Sequence, residues 1–177
     1  MKNAKILNRK TVYASDWLSI HLDCVEYPAG RISEEHHCVD FQYQGVGAII
    51  TDSKNRVLLI KSYRYIVDTV DWEIPAGGFK NEDVIAAARR EVLEETGYEC
   101  TDYQKIYSYY PLTGISNSRF HLVSCKAAQQ VSDFDANEVH SVQWFKKDEI
   151  KKLIAENAIQ DGFSLQGLCF YLMNHRP

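Results

Sequence analysis

Apolar and polar residues alternate early in the chain. Leu18, Ile20, Leu22 and Cys24 take every second place, with Ser19, His21 and Asp23 between them. That period of two belongs to a half-buried strand. Residues 12–14, ahead of the Ser15-Asp16 turn, predict a partner strand. Beyond the Pro28-Ala29-Gly30 turn, Val39, Phe41 and Tyr43 alternate with Asp40, Gln42 and Gln44, so residues 1–45 predict an antiparallel β-meander. Residues 46–50 and 57–60 are unbroken apolar runs joined by a polar turn, the pattern of a hairpin inside a covered sheet. The period then changes. Val84–Thr96 contains three consecutive alanines and no Gly or Pro, with Asn81 and Asp83 ahead as capping residues and Gly97 behind as a stop, which predicts a helix. Residues 106–110, 120–125 and 142–145 predict further strands, 127–138 an irregular acidic segment, and 148–158 and 164–174 two amphipathic helices.

Successive helical residues turn by about 100°, which gathers Glu91, Glu94 and Glu95 on one face beside the apolar stripe of Ile85, Ala88 and Val92. Like charges at i,i+4 cost a few tenths of a kcal/mol, and the helix dipole disfavours acids near the C-terminal end. Spacing alone leaves two readings open, a solvated acidic face or a cation site. Clustered carboxylates suit a hard divalent ion such as Mg²⁺, or Mn²⁺ in its place, better than zinc.

Composition narrows the partners. A chain of 177 residues, 45% hydrophobic and 25% charged, has enough length to bury a core as one domain. Its net charge of −4 gives no electrostatic pull toward nucleic acid or an anionic membrane. No apolar run approaches the length of a membrane span, and residues 1–10 carry no signal-peptide core. The five cysteines are scattered without a C-x-x-C pair, which reads as reduced thiols in a cytoplasmic protein and gives no zinc site. His36 and His37 are neighbours on a strand and point to opposite faces, so they do not chelate together. Tyr63-Arg64-Tyr65 puts a guanidinium between aromatics at a strand end, either as surface packing or aimed at a phosphate or base.

Glu82, seven residues, and then Arg90-Glu91-Val92-Leu93-Glu94-Glu95-Thr96-Gly97-Tyr98 resemble the Nudix box: G, five residues, E, seven residues, R-E-U-x-E-E-x-G-U, with U a bulky apolar residue. The match is complete from Glu82 to Tyr98. The box glycine falls on Ala76. Aligned instead on Pro75-Ala76-Gly77, the loop before the helix is one residue short. The segments around Tyr63-Arg64-Tyr65, Trp72-Glu73-Ile74-Pro75-Ala76-Gly77, Gly114-Ile115-Ser116-Asn117, Asp135-Ala136-Asn137-Glu138 and Ile159-Gln160-Asp161-Gly162 extend the resemblance over about residues 10–175. They are similar to the ADP-ribose pyrophosphatase and nucleotide-sugar hydrolase branch of that family.

The resemblance implies an α/β fold, a Nudix-type α/β/α sandwich around a mixed sheet. The meander at 1–45 would serve dimerisation and 46–177 would form the hydrolase domain of a homodimer. It also implies Mg²⁺-dependent hydrolysis of the diphosphate of an ADP-ribose-like nucleotide sugar. Glu91 and Glu95 would be metal ligands, with Glu94 binding directly or through water and the Ala76 carbonyl completing the set. Arg90 would orient the carboxylates, and Glu82 would brace the loop. Arg64 would contact the substrate's phosphates or terminal sugar, with Glu73 in the same substrate loop and Tyr63 and Trp72 stacking on the base. Glu138 would be the general base, with Asp135 in reserve. The alternatives are GDP-mannose or another nucleotide sugar as substrate, a house-cleaning hydrolase of nucleoside triphosphates, and a Nudix-fold nucleotide sensor without turnover. The intact Arg90, Glu91, Glu94 and Glu95 argue against the sensor.

Overall fold

The computed structural model describes residues 3–174 as two compact units. The first holds the meander, β1 (Lys5–Ala14), β2 (Leu18–Glu26) and β3 (Ile32–Phe41), antiparallel in that order, together with residues 110–119. β1 is much longer than the residues 12–14 that the pattern predicts. Its extension sets the adjacent apolar pair Ile6 and Leu7 among polar residues, is irregular in register and exposed throughout, so it carries no period-two signal.

The covered face of β2 is the polar one. His21, Asp23 and Val25 are buried, while Leu18, Ile20, Leu22 and Cys24 are half-exposed. Burying those polar groups is tolerable because each is partnered. Arg9 donates to both Asp23 oxygens at 2.7 Å, and Thr11 Oγ1 meets His21 Nδ1 at 3.0 Å. The Arg9 guanidinium holds the Asp23 carboxyl below the usual range. Residues 110–119 supply further partners. Val39 N–H donates to the Ile115 carbonyl, Phe41 N–H donates to Asn117 Oδ1, Asn117 donates to Asp40, and His36 Nε2 meets the Gly114 carbonyl.

The second unit is built on a mixed sheet. β4 (Gln44–Thr51), β5 (Val57–Arg64), β8 (Tyr98–Tyr109), β9 (Phe120–Gln130) and β10 (Ser141–Phe145) run in the order β10-β5-β4-β9-β8. β4 and β9 are parallel. The Pro- and Gly-rich segment adds β6 (Thr69–Glu73) beside β5 and β7 (Ala76–Phe79) beside β4. Helices cover both faces of this sheet. Ala87, Ala88 and Val92 of α1 (Val84–Thr96) pack on Val46, Val123, Ala48, Ile50 and Leu58. The opposite side of the sheet gives Ile49, Leu59, Phe120 and Leu122 to Ile150 of α2 (Lys147–Ala155) and Leu168 and Tyr171 of α3 (Gly162–Asn174). This is the expected α/β/α sandwich. Each fully buried aliphatic side chain contributes about 1.5–3 kcal/mol of transfer free energy.

Several boundaries move. β8 begins at Tyr98, well before residue 106, through an irregular stretch in which Asp102 takes a φ of 55°. β9 continues to Gln130, into residues expected to be irregular. α2 stops at Ala155, followed by Asn157 in the left-handed region, short of residue 158. Among the described residues no helix is long and apolar enough to cross a membrane.

Candidate active site

α1 is set by its two ends. Asp83 Oδ1 accepts from the N–H groups of Ile85 and Ala86, and Gly97 closes the helix at φ 71° with its N–H on the Leu93 carbonyl. With Ala87, Ala88 and Val92 against the sheet, Glu91 and Glu95 fall at the edge of the packed face and are buried. The short loop ahead of the helix closes through Asn81, which takes φ 59°, a left-handed conformation that Asn tolerates better than most residues. Phe79, buried against the α1 side of the sheet, anchors its start.

The loop and the acids meet closely. A Cβ built on Gly77 would overlap the Glu91 carboxylate, so the backbone at 77 is the wall against which that acid lies. Ala76 N–H donates to Glu95 Oε2 at 2.7 Å. This N–H contact is separate from the carbonyl role that the resemblance implies for Ala76.

Arg90 holds the surrounding acids together. Nη1 donates to Glu91 Oε1 at 2.7 Å and to Glu94 Oε2 at 3.2 Å, and Nη2 donates to the Gly78 carbonyl at 3.2 Å and to Glu82 Oε2 at 3.5 Å. One guanidinium therefore ties the loop to the helix and bonds two of its carboxylates.

Charge in this cluster is out of balance. Burial pushes the Glu95 carboxyl up to about 8, against the Ala76 N–H, and the charges of Glu91 and Glu138 push the same way. Burial also raises Glu91, with Arg90 opposing and Glu94 and Glu138 adding to the rise. Glu138, reached from the acidic segment, thus acts on both buried acids. Among the described residues no three His, Cys, Asp or Glu side chains already stand in a metal-binding arrangement; Arg90 occupies the space between Glu91 and Glu94. The donor set nevertheless fits a hard divalent cation. It is all oxygen, it carries excess negative charge, and a cation would offset the burial and the neighbouring carboxylates that push Glu95 up.

The segment carrying Glu138 is tied to the helix. Asp135 N–H donates to the Glu94 carbonyl at 2.9 Å, and Val139, almost wholly buried, hydrogen-bonds back to the Asp135 carbonyl. Asp135 Oδ1 accepts from Asn137 N and Nδ2. The Asp135 carboxylate is therefore engaged in forming its own turn.

Arg64 ends β5 and donates through Nε and Nη2 to Glu73, which is 1% exposed. Its charge also acts on Glu95. With Thr69, Asp71, Gln160 and Asp161 this pair lines a cavity of about 300 Å³. Asp71 fixes the far wall by accepting from the N–H groups of Gln160 and Asp161. Asp71 and Gln160 were not singled out as site residues; their separation of 89 positions hides the contact from local patterns. Alternate residues of paired strands share a face, so the β5–β6 register puts Arg64, Thr69, Asp71 and Glu73 on one face and Tyr63 and Trp72 on the other. Trp72 packs edge-on to Phe145 at 4.8 Å, and the Tyr63 hydroxyl donates to Asp68. Neither ring lines the Arg64 cavity.

Known proteins resemble this chain in sequence and in fold. The NUDIX domain family model matches residues 42–164. The CMP-5'-(N-acetyl-N-hydroxy-3-aminopropyl)phosphonate hydrolase of Streptomyces rubellomurinus is 29% identical over 147 residues, 82% of this chain and 70% of that protein. The ADP-ribose pyrophosphatase of Bacillus subtilis is 23% identical over 163 residues, 89% of this chain and 86% of that protein. A solved structure of an ADP compounds hydrolase superposes with a TM-score of 0.82 at 17% identity, covering 95% of this chain and 91% of the other.

Proposed function

The chain belongs to the NUDIX family and is a hydrolase, and we propose that it splits the diphosphate of a nucleoside diphosphate sugar, with Mg²⁺ as cofactor and ADP-ribose the leading substrate. The observation that carries this reading is the acid cluster on α1, with Arg90 bonded to Glu91 and Glu94 and Glu95 held by the Ala76 N–H, in the same unit as the Arg64–Glu73 pair that lines a cavity of about 300 Å³. One side of such a site suits a metal-bound diphosphate and the other a polar leaving group. The relative that cleaves ADP-ribose supports the substrate.

In this reading Glu138 takes a proton from the attacking water. The water oxygen bonds to one phosphorus, the bridging P–O bond breaks, and a nucleoside monophosphate and a sugar phosphate leave. Mg²⁺ bound at Glu91, Glu94 and Glu95 would neutralise the diphosphate and lower the pKa of the water. Arg90 keeps Glu91 and Glu94 aligned, and Glu95 would have to be ionised to hold the cation with them. Arg64, held by Glu73, hydrogen-bonds the leaving group.

The same reading makes the protein a homodimer through its meander, in a reducing, cytoplasmic setting. β1 exposes Ile6, Leu7, Val12 and Tyr13, and Ile32 and Phe41 are exposed nearby in the same unit, more apolar surface than a lone sheet usually leaves in water.

The test is turnover of a panel of nucleotide sugars, including ADP-ribose and GDP-mannose, with Mg²⁺. Release of a nucleoside monophosphate that Glu95→Gln abolishes is expected. No turnover of any panel member by the wild type, or equal turnover by the variant, overturns the reading.

A further inference from the structure

The buried acids of α1 rest against a short backbone segment, and that segment is tied to the C-terminal helix. Ile74 N–H donates to Ser164 Oγ at 3.0 Å, the Pro75 carbonyl accepts from Ala48 N–H at 2.9 Å, and Ala76 N–H donates to Glu95 Oε2 at 2.7 Å. Gly77, next along, is the wall beside the Glu91 carboxylate. Three neighbouring residues are thus held by α3, by the sheet and by α1 in turn.

Ser164 is the third residue of α3 and is wholly buried. A hydroxyl has one hydrogen to give and lone pairs to accept with. Asp161 Oδ2, just ahead of the helix, takes that hydrogen at 2.7 Å and also accepts from Ser164 N–H at 2.8 Å. The hydroxyl hydrogen is committed to Asp161, which leaves the lone pairs of Oγ for Ile74 N–H. Asp161 is fixed in turn, its own N–H donating to Asp71 Oδ2 at 2.8 Å. Gly167 lies three residues on, on the same face of the helix, and permits a close approach. A Cβ built there would stand 3.2 Å from Ile74 Cδ1 and 3.0 Å from Leu122 Cδ2. Both the backbone and the side chain of Ile74 therefore meet one face of α3.

Pro75 makes this anchor matter to the acids. Its ring fixes φ at about −65° and keeps the residue before it extended, so the link from Ile74 to Ala76 is stiff. Ile74 is fully buried, and a buried N–H that loses its partner is costly to leave unpaired. Released from Ser164, it gains a new partner only by moving, and Ala76 moves with it. We propose that Ser164 is a positioning residue for the metal platform, holding Ile74 so that Ala76 N–H and the Gly77 wall present Glu95 and Glu91 to one cation. The proposal rests on the reading of those two acids as metal ligands. The anchor stands where the chain leaves β6, between the strands that carry Arg64 and the platform itself.

Mn²⁺ titrated into the full chain without substrate, with the free ion followed by its electron paramagnetic resonance signal, reads the platform apart from turnover. The wild type should bind, and Glu95→Gln should bind far more weakly. Ser164→Ala removes the oxygen and should weaken binding about 10–100-fold. Ser164→Cys fills nearly the same space with a poorer acceptor and should weaken it in the same direction, which reads the contact even where Ser164→Ala fails to fold. Leu168→Ala opens a cavity in the same helix; it should lower the melting temperature and bind Mn²⁺ as the wild type does. Ser164 variants that bind as the wild type does, while Glu95→Gln does not, overturn this proposal alone. So does a loss in Leu168→Ala equal to that in the Ser164 variants, which would make the effect one of helix stability. Binding that is absent in the wild type, or unmoved by Glu95→Gln, overturns the metal reading and this proposal with it.

Discussion

The backbone N–H of Ala76 and the innermost acid of α1, Glu95, share a hydrogen bond of 2.7 Å, and burial around it outweighs the bond and holds the carboxyl near 8. The ordinary value is 4.5. A raised acid stabilises the fold below its unfolded pKa, and that contribution fades as pH climbs through the folded one. Metal-free protein should therefore lose about 3–5 kcal/mol between pH 5 and 8 from this group. Melting curves across that range should fall more steeply for the wild type than for Glu95→Gln. At pH 8, Mg²⁺ should raise the wild-type melting temperature far more than the variant's. Parallel profiles for the two proteins would remove Glu95 as the cause.

Gly77 offers a steric test of the same platform. In Gly77→Ala the new methyl group claims the space of the Glu91 carboxylate, which must turn away from Arg90. A misplacement of this size costs about 10²-fold in rate. The Mg²⁺ concentration needed for half-maximal activity should rise, while circular dichroism stays that of the wild type. Unchanged metal dependence would mean Glu91 is no ligand.

Glu138 and Asp135 can be separated by paired substitutions. Glu138→Gln should lower kcat by about 10²–10⁴-fold with little change in KM. Asp135→Asn keeps an oxygen for Asn137 N and Nδ2 and should stay within a few-fold of wild type. The reverse order would give the base role to Asp135.

Glu73→Gln leaves Arg64 with a neutral partner on a buried wall. The loss of a charge-assisted hydrogen bond should cost about 1–3 kcal/mol, read by urea denaturation. KM should rise more than kcat falls, because Arg64 is aimed by Glu73 and Glu73 touches no metal-side acid. A fall in kcat alone would place the pair in the chemical step.

Self-association can be read from mass. Light scattering should return twice the 20.4 kDa of one chain, and placing aspartate at both Ile6 and Tyr13 should halve that mass. A wild-type monomer at micromolar concentration rules out the dimer.

Local chemistry was legible in the sequence, and contacts between distant segments were not. The helix announced itself because Asp83, the alanine run and Gly97 act within one segment, and the angular grouping of Glu91 and Glu95 follows from helix geometry alone. The shortened loop was visible as a missing residue, though not its remedy, since Asn81 in the left-handed region is a backbone choice. The inward turn of His21 and Asp23 could not be read from alternation: a strand pattern shows two faces without saying which is covered, and the partners of Asp40 and His36 come from residues 114–117. The Arg64 cavity was half visible. Arg64 and Glu73 lie nine residues apart on one hairpin, whereas Gln160 and Asp161 join through Asp71 across most of the unit.

The hydrogen bond from Asp135 to the Glu94 carbonyl divides labour in this protein. It ties the segment carrying Glu138, the proposed base, to the last turn of the helix, so the proposed hydrolytic groups share one backbone frame apart from the hairpin bearing Arg64. With recognition on those strands, as proposed for Arg64, they can be rewritten without retuning the chemistry, which leaves room for a single hydrolytic engine to be refitted to different leaving groups.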